Sequence, residues 1–261
     1  MIDPEKTALY VPHGLSRFKA NLFDRIGSKL GKIIRGNVPE LEALPLDVLP
    51  VVGCSPELTP LIARWRSEDR QFCYWDRGYA RRVFATWLPR GDNGGYYRWH
   101  LGSYQLTRIR DLPDDRWKAL KIGVRPWQGS GSHIVVAMPT ATYSRFHGLE
   151  NWTEKTIAEL KKHTDRKIIT RDKEDKRSLQ DDLKGAHALV AHGSIAAVES
   201  VICGCPVFVD NDSAASLVGK TDLSKIEEPI YPERQPWLNS LAYSQFNEDE
   251  LINGTLWKLI T

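Results

Sequence analysis

A Gly-Ser turn between an apolar segment and a small-residue helix is the feature of this sequence best suited to chemistry. His192, Gly193 and Ser194 follow the apolar segment HALVA, and SIAAVESVIC after them is typical of a helix. Unpaired N–H groups at a helix start, the helix dipole and the Ser hydroxyl together form an anion site. The spacing predicts a phosphate at this turn, with Glu199 more than one helical turn further on, able to reach a ribose hydroxyl. An ordinary N-capped crossover helix is the alternative.

The second half of the chain alternates between apolar strand segments and helical segments. The predicted strands are 133–138, 167–170, 187–191 and 206–209, and the predicted helices are 152–163, 178–183 and 194–203. Such alternation builds a parallel sheet with right-handed crossovers. This half is therefore predicted to be an α/β domain with the Gly-Ser turn after its third strand.

The first half is less regular, but its apolar segments also end in polar turns. The predicted strands are 8–11, 48–53, 71–75, 96–100 and 104–109, with a helix over 57–66. Open α/β sheets place their sites at such strand ends. Pro, Gly and Ser mark a linker at 116–132. The sequence thus predicts two smaller α/β domains, over 1–115 and 133–261, that face each other across a cleft.

Composition limits the class of protein. The 261 residues are 41% hydrophobic and 26% charged, which excludes a disordered chain, a collagen and a small disulfide scaffold. No apolar stretch approaches the roughly 18 residues of a membrane span, and the N-terminal residues lack the order of a signal peptide. A cytoplasmic location and no membrane partner are predicted. The four cysteines form no CxxC pair and are interpreted as buried thiols.

The net charge of +3 is divided unevenly along the chain. Residues 1–110 carry 17 Lys and Arg against 11 Asp and Glu, whereas residues 111–261 carry 19 against 22. An excess of positive charge in the first half indicates an acidic partner there. A random fluctuation on a solvated surface is the alternative.

The block HGSIAAVESVICGCPVFV (192–209) resembles the nucleotide-sugar signature of GT-B-fold glycosyltransferases. The shared pattern is a small polar turn, a short helix with an internal Glu, then Gly-x-Pro and an apolar strand, and its spacing is especially similar to that of capsule-sugar transferases. The segments 74–82, 96–105 and 234–257 are similar to a group of phage-encoded glycosyltransferase-like proteins. The resemblance implies two Rossmann-like α/β domains facing a cleft, in a compact form because the chain is short. The N-terminal domain (1–115) would bind the acceptor, and the C-terminal domain (133–261) would bind the nucleotide sugar, with its last helix packing back on the first domain.

The resemblance also implies a set of donor-binding residues. They are His192, Gly193, Ser194, Glu199, Arg171, Lys173 and Thr140. The Gly-Ser turn would lie by the donor diphosphate, the Glu would hold the ribose, and the two cations would neutralise the leaving diphosphate. A solvated charge run is the alternative for the cations. No cofactor is required, and the co-substrate is predicted to be a UDP-linked sugar.

An inverting transferase needs a base within hydrogen-bond reach of the acceptor hydroxyl, whose proton it removes. Asp76, at the end of the apolar segment QFCYW, is predicted to be this base, and His13 is the second candidate. A structural carboxylate paired with Arg81 or Arg82 is the alternative role for Asp76.

Arginines interleaved with aromatic residues indicate the acceptor surface. The predicted acceptor or DNA-binding residues are Arg77, Tyr79, Arg81, Arg82, Tyr97 and Arg98. Arginines suit phosphates, aromatic faces suit bases, and both would serve a base flipped out of a duplex. The alternative is that half of the aromatics form the core of a small domain. DNA is therefore the predicted partner, and a 5-hydroxymethylpyrimidine in phage DNA is the favoured acceptor.

The segment Asp210-Asn211-Asp212 reads as DxD, the metal signature of the other main transferase fold. Because a phosphate-turn helix comes directly before it, no metal is predicted, and Asp210 and Asp212 are kept as a weak alternative site. Catalysis would then depend on cations and a helix N-terminus that stabilise the departing diphosphate.

These inferences together predict a glycosyltransferase that moves a hexosyl or pentosyl group from a nucleotide sugar to a hydroxyl. Two alternatives stay open. The chain could act on a surface polysaccharide or a lipid-linked acceptor, or it could be a non-catalytic nucleotide- or DNA-binding module.

Overall fold

The computed structural model describes residues 2–14, 23–82 and 95–260. Its strands are β1 (Thr7–Val11), β2 (Lys32–Arg35), β3 (Leu49–Val52), β4 (Cys73–Arg82), β5 (Gly95–Leu101), β6 (His133–Ala137), β7 (Lys167–Arg171), β8 (Ala186–Ala191), β9 (Val207–Val209) and β10 (Gln245–Asn247). They form a six-stranded sheet of order β10-β5-β4-β3-β1-β2 and a four-stranded sheet of order β7-β6-β8-β9.

Short helices connect and cover the strands. They are α1 (described over 23–27), α2 (Val38–Glu42), α3 (Thr59–Ser67), α4 (Asp115–Ala119), α5 (Ala141–His147), α6 (Trp152–Leu160), α7 (Leu179–Leu183), α8 (Ile195–Ile202), α9 (Gln235–Ala242), α10 (Glu248–Ile252) and α11 (Thr255–Leu259). In the described part of the chain, no helix combines the length and the apolar character that crossing a membrane requires.

Both sheets contain the same parallel core. In the first, β2, β1, β3 and β4 are parallel, and in the second all four strands are parallel. When the strands of each core are numbered in chain order, both cores have the order 2-1-3-4 of a Rossmann-like half. In such a sheet a crevice forms where the connections from two neighbouring strands leave to opposite sides. The α/β class predicted from the sequence is confirmed.

The predicted alternation of the second half is confirmed, and α5 is an addition to it. Its sequence ATYSRFH has no helical apolar period, so the pattern did not indicate it. Thr140 caps the start of α5, and Gly148 ends it in the left-handed conformation, with φ of 65°. This missed helix carries two side chains of the candidate site.

Two predictions for the first half are wrong. The segment 104–109 is not a strand, since Leu106 gives its N–H to the Tyr79 hydroxyl rather than to a neighbouring strand. The strand predicted to end at Trp75 continues to Arg82, because β5 pairs with it antiparallel beyond the end of β3. Asp76 is thus inside β4, opposite Arg98, rather than in a turn.

The last part of the chain returns to the N-terminal sheet. β10 pairs antiparallel with β5. Trp257 of α11 packs edge-on against Trp99, with ring centroids 6.0 Å apart, and Trp99 stacks on Trp75. The N-terminal sheet is consequently built from both ends of the sequence, and burial of the three indole rings stabilises that arrangement.

Candidate functional site

The carboxyl ends of β6 and β8 lie side by side at the crevice of the C-terminal sheet. Thr140 caps α5 after β6, and Ser194 caps α8 after β8, its hydroxyl accepting the N–H of Ala196 at 3.2 Å. The Tyr143 hydroxyl of α5 lies 3.2 Å from Nδ1 of His192. The Gly-Ser turn predicted to bind the donor, here called the donor turn (His192, Gly193 and Ser194), is therefore at the place where an open α/β sheet binds its ligand.

Gly193 is held between two side chains. Its carbonyl oxygen accepts a 2.6 Å hydrogen bond from Nε2 of Gln105. A Cβ at position 193 would lie 2.3 Å from the Tyr143 hydroxyl and 2.9 Å from Gln105 Nε2. Only glycine fits without displacing one of them. Within the described residues, no acceptor takes the N–H of Ser194.

Asp76 lies at the carboxyl edge of the N-terminal sheet and is fixed by two donors. Its Oδ2 accepts from Arg98 Nη2 at 2.8 Å, and its Oδ1 accepts from the backbone N–H of Arg77 at 2.7 Å. Burial alone would lower the pKa of the Arg98 guanidinium. The Asp76 carboxylate beside it acts in the opposite direction, and the pKa lies above its usual range. Since the Asp76 side chain is 36% exposed and each oxygen has a second lone pair, it can still accept a proton.

Charged groups from both sheets act on the phenol of Tyr143. Burial raises the pKa of its phenol, the charge of Arg98 opposes that rise, and the charges of Asp210 and Asp76 add to it. Contacts also lead from Tyr143 toward Asp76. The ring of His147, next to Tyr143, lies 5.1 Å from the Tyr104 ring. The Tyr104 carbonyl accepts from Nε of Arg98, the partner of Asp76, at 3.4 Å. The structure thus brings Asp76, the predicted base, to the same cleft as the predicted donor turn.

Two imidazoles complete this cleft. The ring of His147, from α5, lies 5.5 Å from that of His192 and 4.1 Å from that of Tyr143, measured between centroids. Burial, with the neighbouring His192, lowers the pKa of His147 to about 4. Burial also lowers the pKa of His192, although Asp210, with Oδ2 3.8 Å from its Nε2, opposes the change. Both rings are therefore neutral at neutral pH.

The depressed pKa of His147 predicts a dependence of stability on pH. Because the pKa of His147 is about 4 in the folded chain and 6.5 for an unperturbed histidine, the unfolded chain takes up the proton first as pH falls. The stability is fully present above pH 6.5 and is lost as pH falls through 4. For this half-buried group we expect wild type to lose about 1–3 kcal/mol more than His147→Gln over that window. Urea unfolding at pH 4, 5, 6 and 7 measures it, and parallel profiles would contradict the assignment.

Contacts across the cleft hold the two halves together. Arg66 of α3 lies over the Tyr104 ring, with Cζ 4.4 Å from the centroid, and its Nη1 is 3.5 Å from Oδ2 of Asp212. The Thr59 hydroxyl donates to the carbonyl of Phe146 at 3.0 Å. Because Phe146 is in the core of the N-terminal half, α5 is attached to both sheets.

The remaining predicted donor residues are distributed around this crevice. Thr140 is exposed, and its hydroxyl accepts the N–H of Tyr143 at 3.4 Å. Arg171 ends β7 but forms a 2.5 Å ion pair with the buried Asp182, while Lys173 is exposed in the following loop. Glu199 is 2% exposed within α8. The donor roles of these residues stay predictions.

Three residues predicted to form a DNA surface are core residues, which corrects that prediction. Tyr79 is 0%, Arg98 4% and Tyr97 6% exposed. Tyr79 bonds to His100 at 2.8 Å and packs with the C-terminal core, and Tyr97 packs around Trp75. All three are buried because β4 and β5 are covered on both faces. The two tyrosine rings therefore cannot stack on a base.

The other members of that set are placed differently. Arg77 is half-buried in β4. Arg81 has φ of 53° and donates from Nε to the carbonyl of Leu120 at 2.6 Å. The side chain of Arg82 lies outside the described residues. Their contacts to an acceptor stay a prediction.

His13, the second candidate base, is not brought to Asp76. It is exposed after β1 and lies against Gly36, which follows β2. Since β3 separates β1 from β4, the two positions are about 10 Å apart in the sheet. The alternative role of His13 as the base stays a prediction.

The DxD segment follows β9 at the cleft edge. Asp210 lies by His192, and Asp212 lies by Arg66. In the part of the chain that the structure describes, no group of three or more His, Cys, Asp or Glu side chains could hold a metal ion. The two carboxylates thus have protein partners of their own.

The chain matches no family model and no curated protein in sequence. It is similar in structure to a β-Kdo 2,7 transferase, KpsC of Thermosulfurimonas dismutans, with a TM-score of 0.55 and 12% identity over 97% of this chain and 99% of that chain. A β-Kdo 2,4 transferase, also KpsC of that organism, matches with a TM-score of 0.48 and 12% identity over 91% of each chain. The first similarity shows that this chain shares the GT-B-like fold of that transferase over 97% of its length.

Proposed function

We propose that this chain is a glycosyltransferase that moves a sugar from a nucleotide donor to a hydroxyl of a carbohydrate or lipid-linked acceptor. The observation that carries the proposal is the convergence of the donor turn and Asp76 in one cleft, from different sheets. Tyr143 lies 3.2 Å from His192, and contacts through His147, Tyr104 and Arg98 connect it to Asp76. The fold, similar to that of a Kdo transferase, supports this reading.

The donor phosphate would bind at the start of α8. The N–H of Ser194 is available there, and the positive end of the helix dipole adds to its attraction for an anion. As the bond to the sugar breaks, negative charge grows on the leaving phosphate oxygen. Fixed N–H donors stabilise that charge without reorganising. His192, neutral at neutral pH, can give a hydrogen bond but no compensating charge.

Asp76 would act on the acceptor from the opposite wall. Its two oxygens are oriented by Arg98 and the Arg77 N–H. The acceptor hydroxyl gives its proton to this carboxylate while the hydroxyl oxygen forms a bond to the anomeric carbon of the donor sugar. The bond between that carbon and the phosphate oxygen breaks, and the phosphate leaves with its electron pair. Positioning of this kind contributes about 10²–10⁴-fold to the rate.

The choice between acceptors depends on which residues are exposed. Tyr79, Tyr97 and Arg98 are buried and offer no surface to DNA. One structure with a similar fold is a β-Kdo 2,7 transferase. A surface polysaccharide or lipid-linked acceptor is therefore the leading proposal, and a hydroxymethylated pyrimidine in DNA becomes an outcome of the test.

The proposal predicts transfer that mass spectrometry can detect. We expect a mass gain of one sugar on an oligosaccharide or lipid-linked acceptor incubated with one member of a panel of UDP-, CMP- and GDP-linked sugars, acidic sugars included. Hydroxymethylated and unmodified DNA are incubated in parallel. Gain on hydroxymethylated DNA alone would overturn the acceptor proposal. Nucleotide binding without transfer to any acceptor would favour a binding module, and no nucleotide binding would overturn the donor site.

A further inference from the structure

Gln105 joins the two halves of the protein at the donor turn. It follows β5 in the N-terminal half, and it is 3% exposed. Its Nε2 donates to the carbonyl of Gly193 at 2.6 Å, and its Oε1 accepts the N–H of Ala214 at 3.0 Å. A single buried amide therefore connects to the loops after β8 and β9, the two strands that end beside the cleft.

The orientation of this amide is fixed by its partners. Exchanging its oxygen and nitrogen would place Oε1 against the carbonyl of Gly193 and Nε2 against the N–H of Ala214. Both contacts would then join groups of the same kind, which is unfavourable for a buried amide. Gln105 is thus a donor toward the turn and an acceptor toward the following loop.

The bond from Gln105 determines which way the Gly193–Ser194 peptide faces. Among the described residues there is no cis peptide bond, and in a trans peptide the C=O and the next N–H point in opposite directions. With the Gly193 carbonyl directed at Gln105, the Ser194 N–H points away from it. That N–H has no acceptor in the described protein. If the peptide turned over, a carbonyl oxygen would face an incoming anion and repel it.

We propose that Gln105 is a positioning residue that keeps the Ser194 N–H directed at the donor phosphate. This inference rests on the proposed function. The Tyr143 hydroxyl is close to Gly193 from another direction, 2.3 Å from where a Cβ would be, so the peptide is restrained at more than one point. The bond to Ala214 extends the restraint to the loop that carries Asp210.

The first test replaces Gln105 by Met, which has similar length but no hydrogen-bonding amide. We expect Gln105→Met to raise the dissociation constant of the donor nucleotide, measured by calorimetry, and the KM for the donor sugar by about tenfold, as for loss of one to two hydrogen bonds. The KM for the acceptor stays within about twofold, because the Gln105 amide bonds to Gly193 and Ala214 of the C-terminal half and not to Asp76. Gln128→Met is the matched control, since Gln128 also donates from Nε2 to a backbone carbonyl, that of Leu183 at 3.0 Å.

The second test uses Gln105→Glu, which keeps the shape of the side chain. Only the protonated acid can donate to the Gly193 carbonyl, whereas the carboxylate repels it. We therefore expect the ratio of its nucleotide dissociation constant to that of wild type to fall as the pH is lowered from 8.5 to 6. A residue with a merely structural role would not show this rescue.

The outcomes separate the inference from the proposed function. If wild type binds no nucleotide, the proposed donor site is wrong. If wild type binds but Gln105→Met binds within threefold of it, or if Gln128→Met weakens binding equally, the inference about Gln105 is wrong and the donor site stands. If Gln105→Met does not fold, the pH dependence of Gln105→Glu decides, and a ratio that does not change with pH overturns the inference.

Discussion

Replacement of Asp76 by Asn is expected to lower the rate of sugar transfer by about 10²–10⁴-fold, the usual contribution of a positioned base. Asn keeps oxygen for the Arg98 guanidinium, now 2.8 Å from Asp76 Oδ2, but it cannot take a proton from the acceptor hydroxyl. The donor turn is on the other sheet, so nucleotide binding should be retained. Single-turnover rates together with calorimetry of the nucleotide separate the two steps.

The same substitution has a cost in stability that must be measured alongside activity. Arg98 is 4% exposed, and without the negative charge of Asp76 its guanidinium keeps hydrogen bonds to the neutral carbonyls of Arg77 at 2.8 Å and Tyr104 at 3.4 Å. We expect a loss of about 1–3 kcal/mol in the free energy of unfolding. Urea unfolding establishes that the assays are run on folded protein.

Asp47→Asn is the matched control for this prediction. Asp47 also forms an ion pair, 3.0 Å from Lys6, but it is exposed and comes before β3, at the amino end of that strand rather than at the carboxyl edge where Asp76 lies. We expect no change in transfer. Activity of Asp76→Asn within tenfold of wild type, on folded protein, would show that another group takes the proton.

The strand, turn and helix that we propose to bind the donor could be located from the sequence because their signal is local. A strand, a Gly-Ser pair and a small-residue helix lie in one continuous segment, and the structure has β8, the turn and α8 at those places. The parallel order of the second half followed from the same kind of pattern. The position of Asp76 directly after apolar residues indicates a polar group at a strand end, although β4 continues past it.

The rest of the site depends on contacts between distant parts of the chain. Tyr143 and His147 belong to a helix without apolar periodicity, and Gln105 meets Gly193 across 88 positions of sequence. No local pattern contains such information. The error about Tyr79 and Tyr97 has a related cause, since alternating Arg and aromatic residues fit both an exposed surface and a sheet covered on two faces. Only the tertiary arrangement decides between them.

Replacement of Gly193 by Ala tests the donor turn itself and has the second largest expected effect. The added Cβ would lie 2.3 Å from the Tyr143 hydroxyl and 2.9 Å from Gln105 Nε2, distances that force the turn or those side chains to move. We expect donor nucleotide affinity to fall by about 10–100-fold, because overpacking costs about 1–3 kcal/mol and moves the Ser194 N–H. Calorimetry with the nucleotide measures it. Gly129→Ala is the control, since a Cβ there meets nothing within 4 Å.

A second substitution distinguishes this collision from a general loss of backbone freedom. Tyr143→Phe removes the hydroxyl, and the nearest ring atom, Cζ, is then 3.6 Å from the new Cβ. Gly193→Ala combined with Tyr143→Phe should therefore recover part of the affinity lost by Gly193→Ala, even though Tyr143→Phe alone removes the 3.2 Å contact with His192. In a double-mutant cycle, the affinity lost by the double variant should be smaller than the sum of the two single losses. Strictly additive losses would mean that position 193 needs glycine for its backbone, and that Tyr143 does not restrain the turn.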